Sequence, residues 1–142
     1  MTESRLHPRS DLPVPARTQE TEVYWQAATE ARLLVRRCHA CGEAHHYPRS
    51  LCPFCFSPDT VWEQACGRGT VYSFSVMRRA EVPYAIAYVT LEEGPTLMTN
   101  IVNCALDDIA IGLQVVLVGG TDAPSIPMFT PVAGSTQAGI NP

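Results

Sequence analysis

A mainly β chain is predicted, with an N-terminal helix, a rubredoxin-like zinc ribbon and then a five-stranded OB-fold barrel. Three observations predict it. Two C-x2-C pairs, Cys38/Cys41 and Cys52/Cys55, stand ten residues apart; a stretch of helical spacing precedes them; and five β-rich segments follow Gly69. With 142 residues there is room for one ordinary domain, or for two very small ones of which one leans on a metal.

Residues 1 to 17 carry Pro8, Pro13 and Pro15 with no hydrophobic period, and read as a flexible arm. Residues 18 to 65 form the helix and ribbon. From Thr18 to Ala31 the apolar positions Tyr24, Ala27, Ala28 and Ala31 follow i, i+3, i+4, i+7, with Thr18 as N-cap and Glu20 and Glu22 in the first turn. Trp25 lies off that stripe, and packing on the ribbon is the expectation for it over facing a partner. Leu33 to Arg37 is a short strand leading into the cysteines.

Residues 66 to 132 form the barrel. Its strands are expected at Thr70–Arg78, Tyr84–Glu92, Thr96–Asn103, Gln114–Val118 and Met128–Thr130, which is the strand count of an OB-fold. A short helix is expected from Asp107 to Gly112, between the third and fourth strands. Residues 133 to 142 are expected to be a loose tail.

Four thiolates from two tight turns complete a tetrahedron around one ion, and zinc at such a site keeps no open position for water. Cys38, Cys41, Cys52 and Cys55 are therefore the expected ligands of a structural Zn(2+); an iron site of rubredoxin type uses the same donors. Gly42 follows the first pair and accepts a positive φ, whereas Phe56 follows the second and resists it, so a distorted second knuckle is expected. His39, His45 and His46 are expected at the surface or behind the ligands. Cys66 and Cys104, alone in the β half, read as small buried hydrophobes. No nucleophile with an identifiable base is present, so no catalytic residue is assigned.

The ten basic residues are all arginine and the formal net charge is −4, which gives no excess for binding a phosphate backbone. No apolar run approaches the ~20 residues of a membrane span. The N-terminus lacks the apolar core of a secretory signal, so a cytoplasmic, reducing location is expected. Ribbon-plus-OB modules also bind single-stranded nucleic acid. Tyr72/Phe74 and Tyr84/Tyr88 supply strand aromatics, but Arg68, Arg78 and Arg79 face six acids in the β half, and such aromatics are expected in the barrel core.

From Tyr24 to Phe129 the chain resembles the zinc-ribbon plus OB-fold proteins long classed as a domain of unknown function and later associated with acyl-CoA enzymes. The resemblance rests on Tyr24-Trp25, the two cysteine pairs, Gly67-Arg68-Gly69-Thr70-Val71-Tyr72-Ser73, Pro83-Tyr84, Leu91-Glu92-Glu93-Gly94, Gly112 with Val115, and Ile126-Pro127-Met128-Phe129. Phe56 departs from the glycine usual in that family. The resemblance implies a non-catalytic accessory subunit for a thiolase-superfamily enzyme, an acyl-CoA synthase or a steroid side-chain aldolase, with a hot-dog-fold hydratase as a further partner and acyl-CoA bound in the complex. Between Arg32 and Phe56, Arg32, Arg36, Arg37 and Arg49 stand against the single acid Glu43, which makes the ribbon locally basic, and under that implication they would meet CoA phosphates. The alternative for these arginines is solvation or ion pairing.

Overall fold

The computed structural model describes residues 12–118 and 126–132. The expected tail at 133–142 and most of the expected arm lie outside them. Among the described residues no helix is long and apolar enough to cross a membrane.

Helix α1 spans Glu22–Thr29, shorter than the spacing predicts at both ends. Thr18 is not the cap. Its hydroxyl lies 3.1 Å from that of Thr21, and the Thr21 amide donates to Thr18 O over 3.1 Å, so the chain makes a turn before the helix begins. At the other end Ala31, expected to continue the apolar stripe, stops the helix. It takes φ +62, while the amides of Ala31 and Arg32 donate to Ala28 O and Ala27 O, which is the Schellman pattern.

The ribbon sheet has the order β2-β1-β3, antiparallel throughout, from β1 (Leu34–Cys38), β2 (Ala44–His45) and β3 (Thr60–Gln64). β1 pairs with β3 along its whole length, from Leu34 opposite Gln64 to Cys38 opposite Thr60. That pairing carries the chain back beside its start, so the cysteine loops project from one end.

Five strands form the second sheet, in the order β6-β5-β4-β7-β8: β4 (Arg68–Met77), β5 (Tyr84–Leu91), β6 (Thr96–Asn100), β7 (Gln114–Val118) and β8 (Met128–Pro131). Its two ends meet where Ile101 bridges Phe129 and the Val102 amide donates to Phe129 O over 2.8 Å, giving a barrel that is curled but incompletely closed. The register of β4 against β5 shifts between Val71 and Ser73, a bulge that adds twist. At Gly69 a β-carbon would lie 2.5 Å from Val89 Cγ1 and 2.8 Å from Thr90 O, so only glycine allows the strands to approach this closely.

Alternation along β5 sends Ala85, Ala87, Val89 and Leu91 inward. The interior is filled largely by aliphatic residues and the fully buried Phe129. Tyr72, Phe74 and Tyr88, expected in the core, are instead exposed. Tyr72 occupies the bulge, and Tyr88 alternates outward with the small inner Ala87. The expected helix at 107–112 shrinks to one 3-10 turn, Leu106–Asp108, because Ile109 becomes extended and buries its side chain in the core. One contiguous core runs from Tyr24, Trp25, Leu33 and Val35 through Ala65 to Val71, Val115 and Phe129.

Candidate metal centre

Each cysteine pair sits in a turn held by its own backbone. In the first, Cys38 N–H donates to Glu43 O and Gly42 N–H to Cys38 O, both 2.9 Å. In the second, Cys52 N–H donates to Ser57 O over 2.9 Å and Phe56 N–H to Cys52 O over 2.8 Å. The second knuckle is therefore not distorted. Phe56 takes φ +67 beside the +81 of Gly42, reproducing the turn at a local cost of ~1 kcal/mol or more for a residue with a β-carbon.

All four sulfurs lie within 4.8 Å of one another. Cys38 Sγ is 3.6 Å from Cys55 Sγ, and Cys41 Sγ 3.7 Å from Cys52 Sγ. A tetrahedron with Zn–S bonds of ~2.3 Å has edges of ~3.8 Å, so this donor set has the dimensions of a zinc or iron thiolate centre. They are far longer than the ~2 Å of a disulfide. The Cys41 backbone amide helps pull the Cys38 thiol down to about 7. The Glu43 amide also favours the Cys41 thiolate, but burial and the thiols of Cys52, Cys55 and Cys38 outweigh it and push Cys41 up to about 12. Four sulfurs this close ionise together only around a cation, so the residues fit a metal.

Of the ribbon histidines His39, His45 and His46, His39 is the one at the surface, 3.4 Å from Asp59. His45 is buried with neither ring nitrogen bonded, and burial lowers its pKa. His46 Nε2 shares a 2.8 Å hydrogen bond with Tyr24 Oη, and burial first, then the neighbouring His45, lowers its pKa to about 4. The expectation of surface or ligand-supporting roles fails for these two: His45 is buried at the end of β2, and His46, just after it, packs against Tyr24 of α1. There Tyr24, Trp25, His46 and Tyr47 form an edge-to-face aromatic cluster, with Tyr24 and Trp25 rings 4.9 Å apart. Trp25 packs on the ribbon, as expected.

Three of the four ribbon arginines are engaged within the chain. Arg32 pairs with Glu30 at 2.7 Å and Arg37 with Glu63 at 2.8 Å. Arg36 lies 4.4 Å over the Trp62 ring and donates to Thr60. Arg49 is exposed, next to Ser50, whose amide donates to Glu20 and holds that carboxyl below its usual range. Sequence reasoning missed β3, which supplies Thr60, Trp62 and Glu63 to these arginines. Cys104 is buried as expected; Cys66 is exposed, its thiol 3.5 Å from Glu92 Oε1. Glu93 ties the two halves together, accepting from Cys66 N–H at 2.8 Å through its carboxylate and from Arg37 at 3.5 Å through its carbonyl.

Residues 25–61 match the family described as ChsH2, rubredoxin-like zinc ribbon domain, and residues 62–119 match ChsH2, C-terminal OB-fold domain. A probable enoyl-CoA hydratase alpha subunit of Thermomonospora curvata is 38% identical over 138 residues, which cover 92% of this chain and 43% of that protein. The chain thus spans less than half the length of that relative. A DUF35 domain-containing scaffold protein of Methanocaldococcus jannaschii is 35% identical over 99 residues, 64% of this chain and 70% of the relative. Among solved structures, a chain of the Ltp2-ChsH2(DUF35) aldolase superposes with a TM-score of 0.71 at 39% identity, covering 82% of this chain and 98% of that one. The ribbon, the curled five-stranded sheet and these matches together place the chain in the ChsH2-type DUF35 family of zinc-ribbon and OB-fold proteins.

Proposed function

We propose that this chain is a non-catalytic accessory subunit of an acyl-CoA-processing enzyme of thiolase or aldolase type, and that its four cysteines hold a structural zinc. The observation that carries the reading is the 39% identity, over 82% of this chain and 98% of the other, to a chain of the Ltp2-ChsH2(DUF35) aldolase. Cys38, Cys41, Cys52 and Cys55 are the assigned ligands. A four-thiolate site has no position left for substrate, so the metal would fix the ribbon and leave the chemistry to the partner. The hydratase naming of the Thermomonospora relative supports acyl-CoA as the substrate class and a hydratase as a second partner.

Acyl-CoA would be held in the assembled enzyme. Within that reading Arg49 is the arginine best suited to a CoA phosphate, because Arg32 and Arg37 would first have to leave Glu30 and Glu63, and Arg36 is engaged by Trp62 and Thr60. The exposed aromatics of the barrel supply half of a nucleic-acid platform. Nearby Arg78 is already paired with Asp107 at 2.8 Å, which works against that second reading.

Co-expression with Ltp2, the other component named in the Ltp2-ChsH2(DUF35) aldolase, followed by light scattering on the purified complex and acyl-CoA turnover assays, tests the proposal. A stable complex is expected, with no turnover by this chain alone. Turnover by the isolated, zinc-loaded chain would overturn the non-catalytic role.

A further inference from the structure

The two cysteine knuckles share one backbone plan and carry different tips. The first closes on Gly42, whose missing β-carbon would meet nothing within 4 Å, and it presents His39 and Ala40. The second closes on Phe56 in the same left-handed conformation. Nothing in the turn calls for that side chain, which is 73% exposed and is not repaid by packing within the chain. Phe54, in the same loop closed by Cys52 N–H and Ser57 O, is 59% exposed, and the adjoining Leu51 49%. Two phenylalanines in water, one of them in a conformation that disfavours it, mark a surface kept for contact.

We propose that Phe54 and Phe56, with Leu51 beside them, form an anchor that seats in an apolar pocket of the partner enzyme subunit. The proposal rests on the accessory-subunit reading and says which part of the chain docks. Two other occupants fit less well. Tip-to-tip contact with a second copy would bury on the order of 300 Å² per chain, against about 800 Å² per partner in a stable interface. A lipid surface favours a cluster of basic residues around an apolar tip, whereas along the chain from residue 49 to 59 Arg49 is the single basic residue and Asp59 offsets it. A partner pocket asks only for apolar area on a rigid support. The metal ligands Cys52 and Cys55 bracket Phe54, so a bound ion would fix the tip before docking and lower the entropy cost of association.

The test is calorimetric titration of the zinc-loaded chain into Ltp2, for the wild type, Phe54→Ser and Phe56→Gly, with metal content and thermal midpoint measured on each. The wild type is expected to bind and each variant to bind at least tenfold more weakly. Phe56→Gly is expected to keep its metal and a thermal midpoint no lower than wild type, which separates lost contact from lost folding. Variant affinities within twofold of wild type would overturn the anchor and leave the accessory-subunit reading standing. Absence of a wild-type complex would overturn that reading and the anchor with it.

Discussion

Replacing His46 by glutamine should flatten the acid limb of the stability curve. His46 ionises at about 4 in the folded chain against an ordinary value of 6.5, because burial disfavours the imidazolium and His45 lies beside it. Between those two pH values the unfolded chain binds the proton and the folded chain does not, so stability rises with pH and is lost on acidification. The contribution is fully present above pH 6.5 and is exhausted below about pH 4. A shift of this size corresponds to about 3 kcal/mol in all, of which about 2 kcal/mol falls between pH 7 and pH 5. Glutamine preserves a partner for the Tyr24 hydroxyl and removes the titration. The assay is urea unfolding of both proteins at pH 7, 6 and 5, with metal content followed at each pH. Proton competition at the four thiolates acts on both alike and cancels in the difference. Wild type should lose about 2 kcal/mol more than His46→Gln across that interval. Equal losses would refute the argument that burial of His46 is what the acid limb reports.

Cys52→Ala should abolish stoichiometric metal binding and unfold the ribbon, seen as loss of bound metal in elemental analysis and a collapse of the thermal transition. A metal-free variant that stays folded would contradict the structural role. Gly69→Ala should cost at least 2 kcal/mol in chemical denaturation, since its β-carbon would fall 2.5 Å from Val89 Cγ1 and 2.8 Å from the Thr90 carbonyl. Phe56→Gly should raise the stability of the isolated, metal-loaded chain by about 1 kcal/mol by relieving the left-handed backbone, read as a higher urea midpoint with an unchanged slope.

What was legible in the sequence was what depends on short spacings. The paired cysteines declare a four-sulfur site because each pair chelates from one turn, and the barrel strands declare themselves through β-branched residues bounded by Gly and Pro. β3 was not legible: Thr60–Gln64 mixes polar and apolar residues, and it becomes a strand by pairing with β1, more than 20 residues away. The enclosure of His46 likewise depends on Tyr24 of α1 packing against it from 22 residues away, a tertiary fact with no local signature. The helix ends were misread because Thr18 and Thr21 are equally good caps by composition, and Ala31 in a left-handed conformation is invisible to propensity. Phe56 is the awkward residue for its turn that the sequence suggests, yet the turn takes it up without the expected distortion.

The shared core has a consequence for how this architecture can be cut and recombined. Between the metal end and the barrel there is no linker: Ala65 N–H donates to Leu33 O at 2.8 Å, and Leu117 N–H to Gly67 O at 2.7 Å, so successive residues at the junction belong to opposite halves. A fragment ending there would leave Leu33, Val35 and Trp25 facing water on one side and strip cover from the barrel on the other. A break at residue 65 would therefore give two pieces with opened cores rather than two modules. A metal bound by the four cysteines would then bear on the folding of the whole chain, including strands that never touch the ion.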